Sequence, residues 1–310
     1  MTAQTLRVVV LCGGPSAERE VSLISGRAVA EALNSALRVD KIELSDENLP
    51  EGLEPADTIV FPALHGAFGE DGELQALLEK NGFTYVGSDA QASSLCMDKA
   101  ATKARLRGSS GFQITADCAF AATEKPSVAT LLSAVGHDLV FKPLNSGSSV
   151  GLGFAAGPAA IGEALDAIAC GEWLVEPRIV GREMTIGILE GAALGIVEIL
   201  PSAGVYDFRH KYTAGMTRYQ VPAAIDSQLT QSIAGWAESA YRRCGCRDFA
   251  RIDFILDVEN RAHFLEINTL PGLTPTSLFP KSASHMGYDF KSLVRAMVEP
   301  AICRWHLDSN

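Results

Sequence analysis

At 310 residues the chain is long enough for about two domains, or three small ones, with a core that needs no disulfide or metal staple. Its 47% hydrophobic and 20% charged residues are ordinary for a soluble globular protein. A net charge of −11 argues against non-specific binding to nucleic acid or an anionic membrane, since both need a positive field, yet it leaves room for local basic sites around phosphates.

Seven cysteines are scattered without a Cys-x-x-Cys pair, and Cys244-Gly-Cys246 lacks nearby partners for a zinc site. Reduced thiols are the simplest reading. No segment approaches the ~20 apolar residues that span a bilayer, and the apolar run Leu6 to Cys12 lacks a signal-peptide layout. The cytoplasm is therefore the expected location.

In chain order, Arg7 to Cys12 reads as a buried strand, Gly13 to Ser16 as a turn and Ala17 to Leu37 as a helix. Thr58 to Phe61 is a second strand, and Asp71 to Asn81 is a helix closed by Gly82. A short strand at Tyr85-Val86 precedes a helix over Asp89 to Arg107. This alternation predicts an α/β unit with a parallel sheet, and Gly108 to Gly111 is a plausible hinge. The middle segment has strands at Leu139–Lys142 and Glu172–Glu176 and helices near 126–136 and 158–170. Strands at Glu183–Leu189 and Ala192–Leu200 follow. Then come a polar stretch over 201–220, a helix from Ser227 to Arg243, a Pro/Gly-rich loop at 269–280 and a last helix near 289–300.

The most informative segments are Arg251-Ile-Asp253-Phe-Ile-Leu-Asp257 and His263-Phe-Leu-Glu266-Ile-Asn268. Both alternate polar with apolar residues, so Arg251 and Asp253 share one face of a strand, and Glu266 and Asn268 share one face of the next. A two-residue turn at Glu259-Asn260 puts Asp253 opposite Glu266 and Arg251 opposite Asn268. Opposed carboxylates destabilise a ladder unless a cation lies between them, and these oxygen donors suit Mg²⁺ held against a phosphate. The alternative is a solvated polar face in another register.

Three loops add to this. Lys142-Pro-Leu-Asn-Ser-Gly147-Ser148-Ser149-Val-Gly151-Leu-Gly153 follows a strand, and its backbone N–H groups and hydroxyls can converge on an anion beside Lys142. A flexible turn is the competing reading, because the spacing matches neither the phosphate loop of nucleotide hydrolases nor the dinucleotide fingerprint. Gly13-Gly14-Pro15-Ser16-Ala17-Glu18 enters a helix N-terminus, and Leu64-His65-Gly66 lies at the carboxyl end of a strand, where open α/β sheets bind ligands. Tyr206 to Tyr212 sits in a polar loop long enough to be a lid.

Taken together and in order, these segments resemble the D-alanine–D-alanine ligases of the ATP-grasp superfamily. The matching residues are Gly-Gly-Pro-Ser-Ala-Glu18-Arg-Glu-Val-Ser, Leu-His65-Gly-Ala-Phe-Gly-Glu-Asp-Gly, Met-Asp-Lys99, Lys142-Pro with Gly-Ser148-Ser-Val-Gly, and Gly-Arg-Glu183. Tyr-Asp-Phe with Lys211-Tyr212, Arg251-Ile-Asp253, Glu266-Ile-Asn268-Thr-Leu-Pro-Gly272 and Ser277-Leu278 complete the set over nearly the whole chain.

The resemblance implies a three-domain ATP-grasp fold, with an N-terminal α/β domain over 1–98 for the first substrate. A central α+β domain over 99–181 and a C-terminal α+β catalytic domain over 182–310, carrying a lid loop at 201–220, complete it. It implies the ATP-dependent joining of two D-alanines through an acyl phosphate, for peptidoglycan synthesis. Asp253, Glu266 and Asn268 would hold two Mg²⁺ (or Mn²⁺). Lys99 and Lys142 would contact phosphates, Lys211 the transferred γ-phosphate, and Glu176 and Glu183 the adenine or ribose. Arg251 and the Gly272 N–H would stabilise the tetrahedral oxyanion. Glu18 would take the first ammonium, linked through Ser148 to Tyr212, with His65 lining that site. Ser277 and the Leu278 backbone would take the second carboxylate. A homodimer is expected, with no nucleic-acid or membrane partner.

The chain departs from the family at Pro177, which offers a carbonyl but no N–H, at Phe208-Arg209-His210 in the lid, and at Asn145-Ser146 in the glycine loop. The alternatives are an ATP-grasp ligase with D-lactate or D-serine as acceptor, a non-catalytic ATP-binding regulator, and a dinucleotide oxidoreductase. The last lacks the Gly-x-Gly-x-x-Gly turn, and the second would be expected to have lost phosphate or metal residues.

Overall fold

The computed structural model describes residues 6–109, 111–145, 147, 151–201 and 216–308. Ser148, Lys211 and Tyr212, and with them most of the expected lid, lie outside the described residues.

Four strands, β1 (Arg7–Gly13), β2 (Arg38–Leu44), β3 (Thr58–Pro62) and β4 (Thr84–Tyr85), form a parallel sheet in the order β2-β1-β3-β4. Val8, Val9, Val10, Leu11 and Cys12 have no exposed surface, as expected of a parallel sheet covered on both faces. On one face Val8 and Val10 pack with Val29 and Leu33 of α1 (Arg19–Leu33). On the other, Val9 and Leu11 meet Leu74 and Leu78 of α2 (Glu73–Lys80). The sequence reading missed β2, whose Arg38, Asp40, Lys41 and Glu43 obscure the apolar signal. It is an edge strand, and charge there blocks pairing with other chains.

The helix expected over 89–107 is two helices, α3 (Ala90–Met97) and α4 (Lys99–Leu106). Asp98 breaks them with an extended backbone (ψ 102°), and its side chain accepts from the Ala101 N–H. An aspartate at an N-cap satisfies donors that a continuous helix would not leave open. The break makes Lys99 the first residue of a new helix.

The central sheet is antiparallel, ordered β5-β8-β6-β7, from β5 (Cys118–Ala121), β6 (Asp138–Pro143), β7 (Gly153–Ala156) and β8 (Glu172–Pro177). Leu139 and Phe141 face α5 (Val128–Ala134) and α6 (Gly157–Ala167), whereas the alternate residues Val140 and Lys142 line a cleft.

A third sheet, also antiparallel, is ordered β11-β10-β9-β12-β13: β9 (Arg182–Leu189), β10 (Ala192–Pro201), β11 (Thr217–Gln220), β12 (Phe249–Leu256) and β13 (Ala262–Asn268). Ile186, Ile252 and Phe254 pack under α7 (Ser227–Arg243) with Ile233, Ala237 and Tyr241. Two helices close the chain, α8 (Leu278–Ser284) and α9 (Phe290–Asp308). The last helix runs past the expected end at 300, through Pro300, although proline supplies no N–H there. Tertiary anchors beyond the proline hold it: Arg304 pairs with Asp248 at 2.6 Å and Trp305 Nε1 donates to the Pro55 carbonyl. Its Val294, Met297 and Val298 complete the core under β1 and β3, returning the C-terminus to the first sheet.

Candidate active site

The β12–β13 ladder pairs Asp253 with Glu266 and Arg251 with Asn268, the register the polar alternation predicts. The turn differs from the expected two-residue form. Leu256 pairs with Ala262, the Asp257 N–H donates to the Arg261 carbonyl, and Asn260 takes φ 60°, giving a three-residue loop with a left-handed last residue. This alone would slip the pairing by one residue. A bulge between Asp253 and Phe254, with Leu265 as the extra residue, restores it. Two irregularities cancel, and all four polar side chains stay on one face.

On that face Asp253 is the hub. Arg251 donates to both of its oxygens at 2.9 and 2.7 Å, Thr185 Oγ1 lies 2.5 Å from Oδ1, and Asn268 Nδ2 donates to Oδ2 at 3.1 Å. Glu266 Oε1 is 3.5 Å from the same amide nitrogen, and its Oε2 is 3.7 Å from Lys99 Nζ. Among the described residues no group of three or more His, Cys, Asp or Glu side chains is suited to a metal. This face has two carboxylates and takes its third oxygen donor from an amide. Such hard donors fit Mg²⁺, and Arg251 beside Asp253 and Lys99 beside Glu266 offset the repulsion between the two carboxylates.

The ladder forms one wall of a cleft of about 580 Å³, and the central sheet forms the other. Lys99, Lys142, Glu176, Glu183, Arg251, Asp253 and Glu266 all line it. At its floor Glu176 is held between Lys142 and Lys103, and Thr115 Oγ1 lies 2.7 Å from Lys103 Nζ. Burial alone would raise the Glu176 carboxyl, but the two ammonium groups outweigh it and bring it down to about 2. Lys99 shows the opposite balance: burial lowers its ammonium from the ordinary lysine value despite Glu266. Lys103, with no exposed surface, was missed by sequence reasoning. Its spacing from Lys99, one helical turn along α4, was the available signal.

A second pocket lies at the carboxyl ends of β1 and β3. His65 is buried, with Nε2 at 3.0 Å from Ser25 Oγ and Nδ1 at 3.2 Å from Glu70 Oε1. Ser16 Oγ donates to the His65 carbonyl at 2.5 Å, tying the turn after β1 to the loop after β3. Gly13, at φ 85°, lets that turn pass Leu44, whose carbonyl oxygen a Cβ would meet at 2.9 Å. Glu18 Oε1 and Glu70 Oε2 both flank Gly147, at 3.6 and 3.8 Å from where its Cβ would stand. Burial raises the Glu70 carboxyl, opposed by its hydrogen bond to His65. Glu70 and Ser25 also went unnoticed in the sequence. A small cavity bordered by Glu70, Gly147, Lys99, Glu266 and Asn268 lies between this pocket and the ladder.

Gly272 and Ser277 meet in the loop before α8, where a Cβ on Gly272 would stand 3.2 Å from Ser277 Oγ. That hydroxyl accepts from the Thr274 N–H at 3.1 Å, and Leu278 opens α8 with its N–H in the unpaired first turn.

Comparison with known proteins agrees along the chain. Residues 36–88 match the family profile described as the D-ala D-ala ligase N-terminus, and residues 111–299 match that of the D-ala D-ala ligase C-terminus. The D-alanine–D-alanine ligase of Anaeromyxobacter dehalogenans strain 2CP-C is 39% identical over 302 residues, 95% of this chain and 96% of the relative. That of Aquifex aeolicus is 41% identical over 296 residues, 94% of this chain and 100% of the relative. Among solved structures, the Bacillus anthracis D-alanine–D-alanine ligase complexed with ATP superposes with a TM-score of 0.84 at 27% identity, covering 99% of this chain and 100% of that one. The VanG D-Ala:D-Ser ligase of Enterococcus faecalis gives 0.82 at 26% identity, covering 96% and 100%.

Proposed function

The chain belongs to the D-alanine–D-alanine ligase family, and on that premise we propose how its residues carry out the reaction. The protein is an ATP-using ligase with the ATP-grasp fold, joining two D-alanines into D-alanyl-D-alanine for peptidoglycan synthesis.

A carboxylate is a poor electrophile, so the first D-alanine must be activated. Its carboxylate oxygen attacks the γ-phosphorus, the bond to the bridging oxygen breaks, and ADP leaves. The amine of the second D-alanine, having lost a proton, then attacks the acyl phosphate carbon. The tetrahedral intermediate collapses with expulsion of inorganic phosphate, leaving the amide. Each step gathers negative charge on phosphoryl or carbonyl oxygens, which calls for fixed cations and donors.

In this reading Lys99 and Lys142 hold the phosphates, with Lys142 exchanging its contact with Glu176 for the nucleotide. Glu183 and Glu176 face the ribose and base. Asp253, Glu266 and Asn268 would hold two Mg²⁺, which would supply positive charge to neutralise the phosphates. Arg251, aimed across the same face by its fork onto Asp253, meets the oxyanion together with the Gly272 N–H. Glu18 receives the first ammonium beside His65, and Ser277 with the Leu278 N–H receives the second carboxylate. Lys211 at the γ-phosphate, and Ser148 with Tyr212 in the lid, keep the roles that the resemblance implies. The observation carrying these assignments is the pairing of Asp253 with Glu266 on one cleft-facing ladder, with Arg251 beside them and Lys99 against Glu266.

Three further points belong to the same reading. The chain divides at 1–98, 99–181 and 182–310, supported by the strands of each sheet falling within one interval. It works as a homodimer. It works in the cytoplasm; no described helix is long and apolar enough to cross a membrane.

Phosphate release from Mg·ATP with D-alanine, with L-alanine as control and mass spectrometry of the product, tests the reaction. D-alanine-dependent release with dipeptide product is expected. Product only with D-serine or D-lactate would move the acceptor assignment. Titrating Mg²⁺ against release tests the metal.

A further inference from the structure

Outside the candidate ligand-binding residues, three thiols come together in the core. Cys96 lies on α3, while Cys244 and Cys246 follow the end of α7 around Gly245, at φ 73°. All three are buried. Cys96 Sγ stands 3.7 Å from Cys246 Sγ, bringing together segments 150 residues apart, and Cys96 also hydrogen-bonds to Cys244. The set is not one that could hold a metal ion.

Its position distinguishes it from inert core sulfur. Cys96 borders the small cavity shared by Glu70, Lys99, Glu266 and Asn268. Two residues further on, Asp98 caps α4, whose first residue is Lys99. Any pull on Cys96 is therefore a pull on the junction that sets the phosphate lysine.

We propose that Cys96 and Cys246 are an oxidisable dithiol that closes to a disulfide beside the active site and stops the ligase. A small peroxide reaches Cys96 through the cavity. The Cys96 sulfur attacks one peroxide oxygen, the O–O bond breaks, and the departing oxygen leaves as water with the thiol proton. Cys246 sulfur then attacks the resulting sulfenic sulfur, the S–O bond breaks, and a second water leaves. Two thiols are oxidised and one peroxide is reduced to two waters. The hydrogen bonds to Cys244 and Cys246, with burial added, push the Cys96 thiol up, so the reaction is slow and needs excess peroxide. Forming a bond of about 2.05 Å from the present contact draws α3 toward α7. A displacement of about 1 Å at a positioning group is enough to cost roughly 100-fold in rate.

The activity arm rests on the ligand assignment above, because it is read through Lys99; the crosslink arm does not. The exposed Cys170 and Cys303 are first replaced by serine, to remove surface chemistry. The full chain is then treated with hydrogen peroxide, assayed with D-alanine and Mg·ATP, and mapped by non-reducing peptide mass spectrometry. The expected result is a 96–246 crosslink, with kcat falling about 10- to 100-fold and restored by dithiothreitol. Saturating substrates should slow the crosslink, and Cys246→Ser should abolish both effects. Absence of the 96–246 peptide while other thiols oxidise overturns the proposal. So does an unchanged kcat in crosslinked enzyme, or equal inactivation of Cys246→Ser. If Cys246→Ser folds poorly, Cys246→Ala makes the same test. An enzyme inactive before oxidation would count against the ligase reading, and the peptide map would still decide the dithiol.

Discussion

The β12–β13 ladder and the pocket at the ends of β1 and β3 place charged groups in opposite ways. On the ladder, strand periodicity, with a bulge that restores the register, puts Arg251, Asp253, Glu266 and Asn268 on one face, and the contacts described among them come from the same sheet or from Lys99 at the tip of α4. In the pocket, His65 is oriented by Ser25 and Glu70, and Glu18 is brought beside Glu70 only when separate loops converge. The ladder is thus held by local geometry and tolerates irregularities, such as its turn and its bulge, that cancel. The pocket depends on a few buried hydrogen bonds between residues of separate loops.

The largest expected effect lies on the ladder. Glu266→Gln removes one of the two paired carboxylate charges lining the cleft, and on the proposed metal role kcat should fall by about 10³-fold while the fold is kept. Steady-state assays in saturating Mg²⁺ check this; near-normal turnover would mean that Glu266 is not a metal bridge.

Next comes the floor of the cleft that joins the two. Glu176 titrates at about 2 in the fold, against an ordinary 4.5. Because the folded value is lowered, its contribution is complete above pH 4.5 and is lost as pH falls toward 2. The shift corresponds to about 3 kcal/mol. Lys103→Met leaves Glu176 with Lys142 as its cation and the Thr115 hydroxyl as a donor, and should destabilise by about 3 kcal/mol, flattening that acid dependence. Urea unfolding at pH 7 and at pH 3 measures both, and an unchanged difference between the two pH values would refute the pairing as its source.

Glu70→Gln probes the pocket more gently. Burial raises the Glu70 carboxyl, so a neutral amide in its place should not lower stability at neutral pH, whereas His65 loses its carboxyl partner. The KM for D-alanine should rise about tenfold with little change in melting temperature. A large loss of stability with an unchanged KM would make the contact structural.

The smallest effect tests how tolerant the ladder is. Asn260→Ala puts a residue less suited to φ 60° in the turn and should cost about 1 kcal/mol with activity retained. If activity falls with stability, the turn, and not the bulge alone, maintains the register.

Fold class and most of the site were legible because they depend on short-range pattern. The alternating strand–helix signals announced the parallel sheet, and period-2 polarity announced the shared polar face of the β12–β13 ladder. What escaped notice had its cause elsewhere in the chain. Lys103 looked like an ordinary helix lysine until β8 brought Glu176 to it. The break at Asp98 is visible in sequence only as one polar residue in a helical run. The turn geometry of the hairpin was misread, yet the register came out as expected because a bulge compensated.

By itself, then, the sequence determined which residues share a face, since that follows from the fixed periods of helix and strand. Family membership was also carried in the order of its motifs. Only the tertiary structure decided which faces meet: Lys103 and Lys142 around Glu176, Glu70 behind His65, Cys96 against Cys246, and the C-terminal helix returned to the first sheet. Those pairings are set by packing and burial between residues far apart in the chain, and local periodicity carries no information about them.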